Sequence, residues 1–211
     1  MLYPETVEPR LLELIQQLCQ QPELDGFLLV GGTALSLQLG QWQSIDIDLF
    51  SAEAFDVEEM VQFLQKRFQY FNQMRFKNSL LGNIGNIKLD IISHQYRWLY
   101  PSIEIEGIRM AGLEDIAAMK LNAIMGNGSR LKDYVDIAYM SSCFSLQQML
   151  DFFETKYPQN NSMMAFKSLS WFNDINFDVD IRFVNNKMNW ENIHHRVIEM
   201  VQQPEIKFKS L

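Results

Sequence analysis

The chain has little of what staples small folds or marks export. Only two cysteines, Cys19 and Cys143, occur in 211 residues. So far apart, they give neither a disulfide framework nor zinc-ligand spacing. The histidines His94, His194 and His195 show no metal spacing either, and neighbours such as His194 and His195 cannot face one target from a helix. No uninterrupted apolar run approaches membrane-spanning length. No basic-then-apolar leader accompanies Pro4 and Glu5, so a cytoplasmic location without membrane contact is expected. Positive charge is also scarce. Eighteen Lys and Arg face 26 Asp and Glu, for a net charge of −8. That balance argues against a generic duplex binder, whose affinity comes mostly from Lys and Arg. The densest basic cluster (Lys66, Arg67, Arg75, Lys77 and Lys88) reads first as a solvated face. Ser36, Ser44 and Ser51 have no histidine nearby in sequence, and nothing suggests a serine nucleophile.

What is present is an ordinary globular composition, 47% hydrophobic and 21% charged, in a chain long enough to bury a proper core. Pro9 opens a helical pattern that ends before Pro22. Phe27–Val30 reads as a buried strand, 33–39 as a short helix closed by Gly40, and 45–50 as a strand. Asp56 can cap a helix running to about Phe68. Strand-like pieces follow near 73–76 and 80–82, then a central strand at 87–92 and a hairpin of 103–105 with 108–110 around Gly107. From Gly112 the pattern turns helical: 113–125, 130–141, 146–156, 162–170 and 190–202. The order predicts an α+β fold, with a mixed α/β part over 1–111 and a helical part over 112–211 that completes an active-site cleft.

The most informative feature is Ile45-Asp46-Ile47-Asp48-Leu49-Phe50. Alternation puts Ile45, Ile47 and Leu49 on one face of a strand and both aspartates on the other, about 7 Å apart. Two carboxylates so held make a hard oxygen site suited to Mg²⁺. The glycine turn at Gly31-Gly32-Thr33 leaves backbone N–H groups for phosphate. Asp90 is a third carboxylate, sharing a strand face with Lys88 and Ile92. If its strand lies beside that of Asp46 and Asp48, the three converge, Asp46 and Asp48 on the triphosphate's ion and Asp90 on a second one that favours deprotonation of an attacking hydroxyl. Taken singly, each piece has a plainer reading: a solvated strand end, a turn, a salt-bridge partner.

Lys120 falls near the middle of an apolar helical stripe with Leu113, Ala117, Leu121 and Ile124, so it must snorkel or meet an anion. Asp133 and Asp136 lie on one flank of the next helix, where pairing with Arg130 and Lys132 on the surface is the simplest reading. The aromatics Phe152, Phe153, Phe166, Trp171 and Phe172 read as core of the helical part.

The segments 31–35 and 44–50, followed later by 113–124 and Arg130-Leu131-Lys132-Asp133-Tyr134-Val135-Asp136, resemble the nucleotidyltransferase family of AbiEii-type toxins, within the DNA polymerase β-like superfamily. The resemblance spans roughly residues 25–140. It implies a nucleotidyltransferase-fold sheet with flanking helices and transfer of a nucleoside monophosphate from an NTP, with Mg²⁺ or Mn²⁺. It places Gly31, Gly32, Thr33 and Ser44 at the nucleotide, Asp46 and Asp48 on the metal, and Lys120 on the triphosphate. Asp133 becomes a candidate for acceptor activation, a role the resemblance implies less firmly for Asp136. Acceptors implied are RNA such as tRNA, or protein, and a cognate antitoxin is the implied partner of a toxin in an abortive-infection pair. Where members commonly carry His-Arg, this chain has Gln41-Trp42, which removes one cation from the nucleotide side. Two other readings compete: a transferase acting on a small molecule such as an antibiotic hydroxyl, and a non-catalytic module that binds nucleotide or a partner. A phosphatase using Asp-x-Asp is disfavoured, because Leu49-Phe50 stands where Gly-Thr is expected.

Overall fold

The computed structural model describes residues 2–184 and 188–211. Local chemistry sets most element ends. Helix α1 (Pro9–Cys19) starts with proline in its first turn and buries Leu11, Leu14, Ile15 and Leu18, a one-sided stripe. Strand β1 (Leu28–Leu29) is short and fully buried. Helix α2 (Gly31–Leu39) begins at Gly31, two residues earlier than the apolar pattern predicts. It closes at Gly40, where φ is +75° and a Cβ would stand 2.7 Å from the Tyr3 ring, so only glycine fits.

Strand β2 (Asp46–Ser51) alternates half-buried and buried residues. Ile45 precedes it and is 59% exposed, so the apolar face consists of Ile47 and Leu49 alone. Helix α3 (Val57–Phe68) is capped by the Asp56 carboxylate, which accepts from the N–H groups of Glu58 and Glu59 at 2.8 and 2.9 Å. Acidic residues in its first turn and Lys66 and Arg67 in its last complement the helix dipole. Strands β3 (Phe71–Phe76) and β4 (Ser79–Ile84) are longer than the sequence pattern suggests. Strand β5 (Ile87–Ser93) and the hairpin of β6 (Ile103–Ile105) and β7 (Ile108–Met110) match it closely.

These seven strands form one mixed sheet in the order β3-β4-β5-β2-β1-β7-β6. β2 and β5 run parallel at its centre, while β4 pairs antiparallel with both β3 and β5. The two edge strands of the sheet, which lies in the first compact unit, Met1–Ala111, are thus β3 and β6.

The second compact unit, Gly112–Leu211, contains five helices among its described residues: α4 (Leu113–Gly126), α5 (Leu131–Met140), α6 (Leu146–Lys156), α7 (Ser162–Ser168) and α8 (Trp190–Gln202). α4 packs against α5, α6 and α7, which explains its burial on several sides rather than one. Ser145 with Gln148 and Asn189 with Asn192 form capping boxes at α6 and α8. Phe153 is fully buried, as the core reading requires, but Trp171 is 56% exposed, its indole N–H donating to Asp174 at 2.8 Å. No described helix is long and apolar enough to cross a membrane.

Candidate active site

The central parallel pair decides where the acidic residues meet. In the β2–β5 register Asp46 lies opposite Lys88, Asp48 opposite Asp90, and Phe50 opposite Ile92. Residues paired in this way project from the same sheet face, so Asp46, Asp48 and Asp90 share one face. Their hydrophobic alternates (Ile47, Leu49, Leu89, Ile91) are almost fully buried on the other.

Lys88 is the functional candidate that sequence reasoning left among surface charges. Its ammonium donates to the Asp90 carboxylate. Burial lowers the Lys88 pKa, but the Asp90 hydrogen bond and the charges of Asp90, Asp48 and Asp46 outweigh it, and the net shift is upward. All three carboxylates therefore act on one cation. The i, i+2 spacing of Lys88 and Asp90 was the available signal, though spacing alone could not show which charges β2 would bring alongside. Asp90 also reaches Tyr70: burial and then the Asp90 charge push that phenol up to about 12.

Gly31 stands at the first turn of α2 with φ +70°, and a Cβ there would lie 2.4 Å from Asp48 Oδ2. The glycine thus serves a close approach between helix start and carboxylate as well as a left-handed backbone. Val30, the residue before α2, gives no side-chain cap, and the first N–H groups of a helix are the donors that suit phosphate. The hydroxyls expected at the nucleotide are used internally. Thr33 Oγ1 and Ser44 Oγ are 2.6 Å apart, Thr33 also donates to the Asp46 carbonyl, and both residues are buried. Their visible work is to tie α2 to the start of β2. Gln41 and Trp42 are buried as well, at 2% and 3% exposure, so neither presents a group outward in place of the missing cation.

In the second unit, Lys120 is buried and meets anions from its own chain. Its Nζ lies 2.6 Å from Asp133 Oδ1 and 2.7 Å from Asp136 Oδ2. Burial alone lowers its pKa, yet Asp136 and Asp133 reverse this and raise it strongly. Snorkelling is excluded by the helices packed around α4. The surface reading of Asp133 and Asp136 is corrected too: both carboxylates are essentially inaccessible, and the exposed Arg130 makes only a 3.7 Å contact with Asp133. A second buried pair, Lys156 with Asp115 at 2.7 Å, ties α6 to α4. There burial lowers the Lys156 pKa more than Asp115 restores it.

Among the described residues no group of three or more His, Cys, Asp or Glu is arranged to hold a metal ion. The oxygen donors nevertheless suit magnesium, which takes one or two carboxylates and completes its shell with water and substrate phosphates.

A mixed sheet with paired acidic residues on its central parallel strands, next to a glycine-opened helix, is the nucleotidyltransferase fold. The chain resembles a putative nucleotidyltransferase from Helicobacter pylori, at 19% identity and TM-score 0.56 over 92% of this chain and 91% of that one. It also resembles MenT4, a nucleotidyltransferase toxin from Mycobacterium tuberculosis H37Rv, at 11% identity and TM-score 0.63 over 91% and 82%. A curated relative, an uncharacterized protein of Aquifex aeolicus (strain VF5), is 29% identical over 163 residues, 72% of this chain and 77% of that protein. Residues 75–206 match the family described as nucleotidyl transferase AbiEii toxin, type IV toxin–antitoxin system. The chain belongs to that family and is a nucleotidyltransferase. Lys88, Asp90, Lys120, Asp133 and Asp136 fall within the matched span, whereas Gly31, Asp46 and Asp48 precede it.

Proposed function

We propose that the protein transfers a nucleoside monophosphate from an NTP to an acceptor hydroxyl on RNA, such as tRNA, or on protein, the oxygen–phosphorus bond to the acceptor forming as the α–β phosphoanhydride breaks and pyrophosphate leaves, and that it acts in the cytoplasm as the toxin of an abortive-infection pair restrained by a cognate antitoxin. The observation that carries the reading is the register of β2 and β5, which sets Asp48 beside Asp90 with Asp46 on the same face, next to the uncapped start of α2.

In this reading Asp46 and Asp48 hold Mg²⁺ or Mn²⁺, which when bound neutralises phosphate charge in the transfer. Gly31, Gly32 and the N–H of Thr33 offer backbone donors to phosphate, while the Thr33 and Ser44 hydroxyls keep α2 and β2 in place. Asp90 completes the acidic set, its charge balanced by Lys88. The resemblance suggests Lys120 for the triphosphate and Asp133 for acceptor activation; both are held with Asp136 in a buried ion cluster, which would have to open for either group to meet substrate. Catalysis rests on positioning and charge compensation, as is general for phosphoryl transfer.

The test is incubation with each of the four labelled NTPs and either total RNA or small hydroxyl-bearing acceptors, with Asp46→Ala and Asp48→Ala alongside. Labelled RNA from the wild type and none from either variant is the expected outcome. Full turnover by either variant would remove the metal assignment, and label on small acceptors only would redirect the acceptor.

A further inference from the structure

The carboxylate face of the sheet does not stop at β5. Following the register outward, Lys88 pairs with Asn83, Asp90 with Leu81, and Ile92 with Ser79 on β4. These pair in turn with Phe71, Met74 and Phe76 on β3. Three rows therefore run from β2 to the sheet edge on one face: Asp46-Lys88-Asn83-Phe71, Asp48-Asp90-Leu81-Met74 and Phe50-Ile92-Ser79-Phe76. The bulge between Asn72 and Met74 keeps the rows aligned, and Gln73 donates across it to Asn83 at 2.7 Å. Arg75 is on the opposite face, paired with Leu80 and held by Glu58 of α3, so α3 covers that side and leaves the rows uncovered by it.

At the outer end of the rows Phe71, Met74 and Phe76 are 68%, 53% and 57% exposed. Three large apolar side chains on an edge strand are costly to leave in water. Charge says what suits them. Residues 60–89 contain Lys66, Arg67, Arg75, Lys77 and Lys88 and no Asp or Glu, in a chain of net charge −8. This stretch alone carries +5, so the remaining residues carry −13. Of these, Lys77 lies in the β3–β4 turn beside Phe76, while Lys88 is paired with Asp90, Arg75 with Glu58 on the opposite face, and Lys66 and Arg67 lie in the last turn of α3. Exposed rings on a sheet face with a cation beside them are features by which proteins stack unpaired bases and hold their phosphates. Two strand spacings, about 10 Å, separate Met74 from Asp90.

We propose that this face is a docking platform for single-stranded nucleic acid, with Phe71 and Phe76 stacking bases and Lys77 meeting phosphate, so that the strand leads toward the acidic residues. It rests on the transferase reading only for its purpose, to present an acceptor strand, and the binding itself is measurable without turnover.

Fluorescence anisotropy with labelled single-stranded RNA 20-mers at low salt tests it, using the full chain. Wild type binds, with affinity falling as salt rises. Phe71→Ala/Phe76→Ala binds at least tenfold more weakly, each lost stack being worth roughly 5- to 150-fold. Lys77→Ala flattens the salt dependence. Met163→Ala/Met164→Ala, equally exposed in the second unit, binds as wild type, and unchanged thermal melts show that each variant folds. Asp46→Asn/Asp48→Asn keeps binding while losing turnover. Binding that depends on the rings with no turnover from any NTP would uphold the platform and sink the transferase reading. Turnover with oligonucleotide affinity indifferent to Phe71 and Phe76 would do the reverse. No binding of any oligonucleotide by wild type would overturn the platform and assign the face to a protein partner.

Discussion

At the residue scale, the acidic side chains sit in two different electrostatic settings. Asp46 and Asp48 are half-buried on an alternating strand, so shortening either side chain opens no sealed cavity. Alanine at either position is expected to lower turnover by at least a hundredfold while shifting the thermal midpoint by only a few degrees, which paired activity and calorimetry measurements check. Gly31→Ala is a sharper probe. It places a methyl against the Asp48 carboxylate and strains a left-handed backbone, at a cost of about 1–3 kcal/mol in stability. A variant as stable and active as wild type would show that the close approach is dispensable.

Lys120 is the opposite case, a buried cation between two buried carboxylates. Lys120→Met strands both anions and should cost about 3–5 kcal/mol, readable in urea unfolding, whereas Lys120→Met/Asp133→Asn/Asp136→Asn should recover most of that loss. The sign with pH follows. The folded pKa of Lys120 lies above its ordinary 10.5, so its contribution is complete below that pH and declines as pH climbs through the folded value. The stability gap between wild type and the triple variant should therefore narrow only in strongly alkaline solution.

At the scale of elements, the periodic segments were legible and their ends were less so. α6, α8 and the β6–β7 hairpin follow from caps, apolar spacing and Gly107 with little ambiguity. β3 was readable only over 73–76, because five of its six residues are exposed and an edge strand with a bulge shows no clean alternation. α2 begins at Gly31 rather than Thr33, since glycine in a left-handed conformation looks like a turn in sequence and here starts a helix. α3, by contrast, has its cap written plainly at Asp56. Replacing it with alanine removes the acceptor for two N–H groups and should cost about 1 kcal/mol in equilibrium unfolding. An unchanged midpoint would mean that water or a neighbour satisfies those donors equally well.

At the scale of the whole molecule, binding and folding are linked. A nucleotide and divalent ion that bind only the folded chain should stabilise it by about 2.7 kcal/mol at a hundred times the dissociation constant, a rise of several degrees in melting temperature for a chain of this size. A chelator should abolish the shift, and Asp48→Ala should not show it. Two compact units, Met1–Ala111 and Gly112–Leu211, each bring an ionic constellation of their own. Composition, charge and the order of motifs already pointed to an acidic α+β nucleotidyltransferase, because periodicity, caps and family motifs are written in neighbouring residues. Which charges would stand together was not written there. That Lys88 answers to Asp46, Asp48 and Asp90, that Lys120 is neutralised by Asp133 and Asp136, and that Phe71 and Phe76 share a face with the acidic residues all depend on strand register and helix packing, which join side chains distant in sequence.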